Sequence, residues 1–125
     1  LLGRDRRDLL VSLAPALTPQ QLLRLQGEVP RVHASDALLD YVQAIALYTR
    51  QASEFEAGRS ARAVIGLLRA AQAWALMHAH PGVLPEDVQA VLPAVAGHRL
   101  APRESSRFRD AGQVGQFVLE TVPVP

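Results

Sequence analysis

The sequence predicts an all-α fold: a small bundle of four main helices, with a short fifth helix possible near the C-terminus. Three observations carry this. Apolar residues recur at i, i+3 and i+4 spacing, and no stretch alternates as a half-buried strand does. Ala and Leu dominate a chain that is 49% hydrophobic but only 5% aromatic, a balance that suits helix packing better than a sheet. Helix start signals also recur along the chain, each just ahead of an apolar-periodic run. With 125 residues, a single domain with a real core is expected.

The elements follow in order. Residues 1–17 are weakly organised; "GRDRRDLLVSLAPAL" holds one or two helical turns at most before Pro15. In "TPQQLLRLQGEV", Thr18 is the N-cap, Pro19 takes the first helical position and Gln21 completes a capping box. Leu22, Leu25 and Val29 are the expected buried stripe of this helix, 19–29, and Pro30 stops it. The second helix, 35–51, starts at the Ser35 cap with Asp36 in its first turn, where an acid suits the helix dipole. Leu38, Leu39, Val42, Ile45, Ala46 and Thr49 keep helical spacing. "ASEFEAGR" reads as a polar surface loop. The third helix, 61–79, is apolar on nearly every side and is expected to be the most buried. The fourth, 85–97, opens with Pro85, Glu86 and Asp87. Pro93 inside it predicts a kink or break, and Gly97 an end. Residues 101–112 are polar, and "QVGQFVLETV" can form a short last helix near 113–121.

Composition excludes several functions. Net charge is +1, so there is no bulk pull toward nucleic acid or an anionic membrane. Every basic residue is an arginine. Without lysine there can be no phosphate-binding loop of the G-x-x-x-x-G-K-[ST] type and no Schiff base within these residues. Without cysteine there is no disulfide, thiol nucleophile or cysteine metal site, which fits the cytoplasm. No apolar run reaches the ~20 residues of a membrane span. The N-terminus is charged and lacks Met, so the chain reads as a piece of something longer.

Among single residues, the histidines carry no expected metal site. His78 and His80 are two apart and do not share a helical face, no carboxylate is placed to join them, and His33 and His98 are isolated. Trp74 is expected to pack rather than stack on a ligand. Tyr41 and Tyr48, seven apart on one face, are expected to pack as well.

One stretch, "GRSARAVIGLLRAAQAWAL", breaks a rule that the others keep. Ser60 is a good N-cap, yet Arg59 and Arg62 sit at the positive end of the helix, where a cation costs roughly 0.3–1 kcal/mol. Free backbone N–H groups, the helix dipole and two guanidinium forks together make an anion site, and Gly58 permits a close approach. Arg62, Gly66, Arg69 and Ala73 form one helical stripe. The alternatives are a solvated Arg59 and an Arg62 paired with Glu54 or Glu56 in the preceding loop.

Three ordered motifs, "VHASDALLDYVQAIALYTR", "GRSARAVIGLLRAAQAWAL" and "VLPEDVQAVLPAVAGHRL", resemble the C-terminal lid domain of MoxR-type AAA+ ATPases. The opening "LLGRDRRDLL…LTPQQLLRLQ" and the closing "LETVPVP" are similar to that family too. The resemblance implies one lid domain over 1–125: a connecting segment 1–17 from an ATPase core not contained here, a bundle 18–100 and a tail 101–125. In the family, the helix beginning G-[small]-S-P-R carries the sensor-2 arginine, which falls on Arg62 and would reach the γ-phosphate of ATP. Arg59 and Arg69 are weaker nucleotide candidates. Ala61 stands where the family has proline, Arg59 where a small residue is common, and Leu84 where a threonine cap is usual.

The resemblance also implies that catalysis and Mg²⁺ binding lie in the core, so the fragment itself is not catalytic. The parent is then a chaperone-like ATP hydrolase. Its expected partners are the core domain, neighbouring subunits of a hexameric ring and proteins with von Willebrand A domains, with no nucleic acid and no membrane insertion. The competing functions are a helical protein-interaction adaptor and a DNA-binding helical module. The latter needs exposed basic and amide side chains on a recognition helix, and the best candidate helix is nearly all apolar.

Overall fold

The computed structural model describes residues 6–51, 55–56, 61–96, 101–102 and 111–124. Among them the fold is all-α. Its helices are α1 (Arg6–Ser12), α2 (Pro19–Glu28), α3 (Asp36–Gln51), α4 (Ala61–Met77), α5 (Pro85–Ala96) and α6 (Ala111–Thr121), with a 3₁₀ turn at Val29–Arg31. A two-residue antiparallel ladder, β1 (Phe55–Glu56) with β2 (Ala101–Pro102), pairs Phe55 with Pro102 and Glu56 with Ala101. It ties the α3–α4 connection to the α5–α6 connection, both of which read as loops in the sequence.

The local start signals act as their chemistry requires. The Thr18 hydroxyl accepts the Gln21 N–H at 3.2 Å and the Gln21 side chain accepts the Thr18 N–H at 2.8 Å, a complete capping box. Ser35 accepts the Leu38 N–H at 3.2 Å. At α5, Leu84 offers no side-chain cap, but Asp87 reaches back and accepts the Leu84 N–H at 2.8 Å.

The packed core lies among α3–α6. Tyr41, Val42 and Ile45 of α3, Ala71 and Ala75 of α4, Val88 and Leu92 of α5, and Val114 and Val118 of α6 are all at most 3% exposed. Helix α5 is sandwiched between α4 and α6, and α3 packs along α4. Thr49, buried in α3, satisfies its hydroxyl by donating to the Ala46 carbonyl at 2.9 Å.

Two burial expectations are corrected. Helix α2 has no buried residue; Leu22 and Leu25 are 48% and 43% exposed and Val29 is half-buried. Among the described residues its main packing is on the 3₁₀ turn that follows it, so its apolar stripe gains little cover from the bundle. Helix α4 is central but not the most buried, because Ile65, Trp74 and Met77 are exposed. Pro93 does not break α5, which continues to Ala96. The expected end at Gly97 and the Ser60 cap fall outside the described residues.

Helix α4 ends without the glycine its geometry favours. Ala79 has φ 56°, the only non-glycine positive φ among the described residues. The His80 N–H donates to the Ala75 carbonyl at 3.0 Å and the Ala79 N–H to Leu76 at 3.2 Å, the two bonds of a Schellman cap. A left-handed L-residue costs about 1–2 kcal/mol, partly offset because glycine adds freedom to the unfolded chain. Ala79→Gly is expected to stabilise the domain by about 0.5–1 kcal/mol, seen as a rise of roughly 2–4 °C in melting temperature. A fall on that substitution would show that the side chain makes a compensating contact.

Candidate functional site

The first turn of α4 places Arg62 at the helix's second position, on the exposed side. Ile65, three residues on, is 58% exposed, and Arg69 follows on the same face, with Gly66 and Ala73 half-buried at its edge. The stripe read from the sequence is therefore present, with an apolar residue between its two cations. Arg59, the third arginine candidate, lies outside the described residues. So does Glu54, one of the two acids that could pair with Arg62.

Arg69 is held by a device that the sequence does not advertise. Its guanidinium donates to the Gln72 side-chain carbonyl at 3.0 Å, and the Gln72 amide donates to the Val32 carbonyl at 2.8 Å. Gln72 is only 5% exposed. A buried amide with both ends satisfied is rigid. It fixes Arg69 and also clamps α4 to the segment that leads into α3.

Beside the stripe runs a groove of about 600 Å³ between α3 and α4, lined by Asp40, Ala44, Leu47, Arg50, Val64 and Ile65. Its floor is apolar, and Leu47 and Ile65 are both more than half exposed. Arg50, in the last turn of α3, stands where a cation suits the dipole, and Asp40 lies ten residues along the same helix. The sequence reading named none of Leu47, Arg50 and Ile65 as site residues. Their signal was there: an apolar or cationic residue on the outer face of an otherwise well-buried helix.

Arg62 presents a guanidinium, which suits a phosphate oxygen. No group of three or more His, Asp or Glu among the described residues is placed to hold a metal ion. The Mg²⁺ that accompanies a nucleotide would need ligands from elsewhere.

The described residues form an all-α domain with a basic, half-apolar face on its central helix and exposed apolar side chains on α2. Residues 47–118 match the AAA lid domain family. The chain is 33% identical to the uncharacterized protein YeaC of Bacillus subtilis over 116 residues, covering 91% of this chain and 36% of that protein. It is 34% identical to the chaperone MoxR1 of Mycobacterium tuberculosis, covering 87% of this chain and 32% of that protein. A crystal structure of a candidate ATPase from Cytophaga hutchinsonii superposes with a TM-score of 0.74 at 26% identity, covering 85% of this chain and 36% of the other. The chain belongs to the AAA lid domain family and is of the MoxR type. It spans about a third of the length of each of these three proteins.

Proposed function

We propose that this domain is the sensor-2 lid of a longer MoxR-type AAA+ ATPase and that Arg62 is its nucleotide-facing arginine. The observation that carries the reading is Arg62 itself: an exposed cation in the first turn of α4, where the dipole opposes it. An exposed guanidinium beside the open backbone N–H groups of a helix start suits an incoming anion, and the γ-phosphate of ATP is such an anion. Arg59 and Arg69 are secondary candidates for the same phosphates. Bound ATP supplies the phosphoryl group, with Mg²⁺ held by the core. This chain's residues bind one phosphate oxygen, close over the core and help exclude water.

The uncovered side chains support the same reading. Leu22 and Leu25 of α2 and Ile65 of α4 are exposed in this domain alone, and a core domain or neighbouring subunit would cover them. The assembled protein is then a ring, hexameric as the family resemblance implies, acting in the cytoplasm as a chaperone-like motor on proteins with von Willebrand A domains. No described helix is long and apolar enough to cross a membrane.

The division of labour gives a direct test. The purified domain is expected to release phosphate from ATP at the background rate, because phosphoryl transfer needs the metal ligands and the water-positioning group. The full-length protein is expected to turn over. Turnover by the domain alone that survives purification to constant specific activity would refute the assignment.

A further inference from the structure

At the corner between α4 and α5, two imidazoles are tied back in a way the ATPase reading does not use. The His78 Nδ1 lies 2.8 Å from the Trp74 carbonyl oxygen. A carbonyl only accepts, so Nδ1 carries the proton and the neutral ring presents its Nε2 lone pair. The His80 Nδ1 lies 3.0 and 3.2 Å from the two carboxylate oxygens of Asp87. Asp87 is 1% exposed and is itself fixed by the Leu84 N–H, so its pairing with His80 engages Nδ1 and not Nε2. An imidazole with Nδ1–H on a carbonyl or carboxylate and Nε2 open is the arrangement that orients histidine as a metal ligand.

Spacing in a continuous helix would keep these two rings apart. The helix does not continue: the left-handed turn at Ala79 folds His80 back, and the ring centroids come to 5.9 Å. With metal–nitrogen bonds of ~2.1 Å, each centroid stands ~3.2 Å from the ion, so two imidazoles on one ion lie about 4.5–6.4 Å apart. The observed separation falls inside that range. Both residues reach solvent: His78 is exposed and the His80 side chain is 34% exposed.

We infer that His78 and His80 form a two-histidine site for a late first-row divalent ion, Cu²⁺, Ni²⁺ or Zn²⁺, with water completing the coordination. Imidazole suits these ions, and Cu²⁺ binds most tightly of the series. Asp87 is the positioning residue: it holds His80 and does not touch the ion. The site bridges the end of α4 to the start of α5, so occupancy stiffens that corner.

The protein contains its own reporter. Trp74 is the one tryptophan in the chain, and its ring stacks on His78 with centroids 4.6 Å apart. Cu²⁺ added to the purified domain is expected to quench Trp74 fluorescence at micromolar concentration with one-to-one stoichiometry. Zn²⁺ does not quench by that route; it is expected to compete Cu²⁺ off and to raise the melting temperature. His78→Ala and His80→Ala should each raise the half-quenching concentration at least tenfold, and His33→Ala should leave it unchanged. His78→Ala keeps the test sound if His80→Ala weakens the fold, because the hydrogen bond of the His78 ring to the Trp74 carbonyl lies within its own helical segment. Quenching that needs millimolar Cu²⁺, or that neither histidine substitution shifts, would mean an adventitious ion only and would overturn the site.

Discussion

Arg62→Ala in the full-length protein is expected to slow steady-state ATP turnover about 10- to 100-fold without unfolding the lid. The size follows from the bond at stake. A hydrogen bond to a charged group is worth about 1.5–3 kcal/mol, and each 1.4 kcal/mol is a factor of ten in rate when the interaction is made in the transition state. The effect on the isolated domain is expected to be small. Arg62 is exposed in the first turn of α4, and an exposed charge interaction is worth at most about 1 kcal/mol, so its removal is expected to move the melting temperature by only a few degrees. A large loss of turnover beside a small change in melting separates a nucleotide-sensing arginine from one that only holds the fold. Arg59→Ala and Arg69→Ala serve as neighbours, each with a smaller expected loss. If Arg62→Ala instead lowers the melting temperature of the domain by several degrees while activity per folded enzyme stays constant, Arg62 is structural.

What could be read from the sequence divides along the range of the interactions. The Thr18 and Gln21 capping box, the Ser35 cap and the anomalous Arg62 are contacts between residues a few positions apart, and the chain states them directly. The buried face of α3 was legible because its periodicity coincides with its packing. Burial of Leu22 and Leu25 was misjudged for the converse reason. An apolar stripe says that a surface seeks a partner, not that the partner is in the same domain. The Gln72 bond to Val32 crosses forty residues, and nothing local marks a glutamine in an alanine-rich helix as a clamp. The approach of His80 to His78 depended on one backbone angle at Ala79, a residue with no preference for that angle. Asp87 looked like an ordinary first-turn acid; only the fold shows that it is buried and accepts from both Leu84 and His80.

Gly115→Ala is expected to be the most damaging small substitution in the bundle, although alanine is the better helix former. Gly115 lies on the buried face of α6. A Cβ there would stand 2.7 Å from the Pro93 Cα and 2.9 Å from two carbons of its ring. Those atoms belong to backbone and to a closed ring inside α5, so they cannot swing aside as a long side chain would. Helix α6 would have to lift off α5 by several tenths of an ångström, loosening Val114 and Val118, which are 1% and 0% exposed. Overpacking of this kind costs about 1–3 kcal/mol, against a gain of about 1 kcal/mol from helix propensity. A site with so little freedom falls at the upper end of the cost, so a net loss of about 2 kcal/mol is expected. Gly27→Ala is the control. It lies in α2 with nothing within 4 Å of the added carbon, so the same change there should stabilise by about 0.5–1 kcal/mol. Denaturant midpoints of the two variants should therefore move in opposite directions. Pro93→Ala should reduce the penalty at Gly115 without removing it, because the backbone Cα stays in place, and the coupling between the two sites is what a double-mutant cycle measures. If Gly115→Ala raises the midpoint as Gly27→Ala does, the close crossing of α5 and α6 at Pro93 is not a feature of the folded protein.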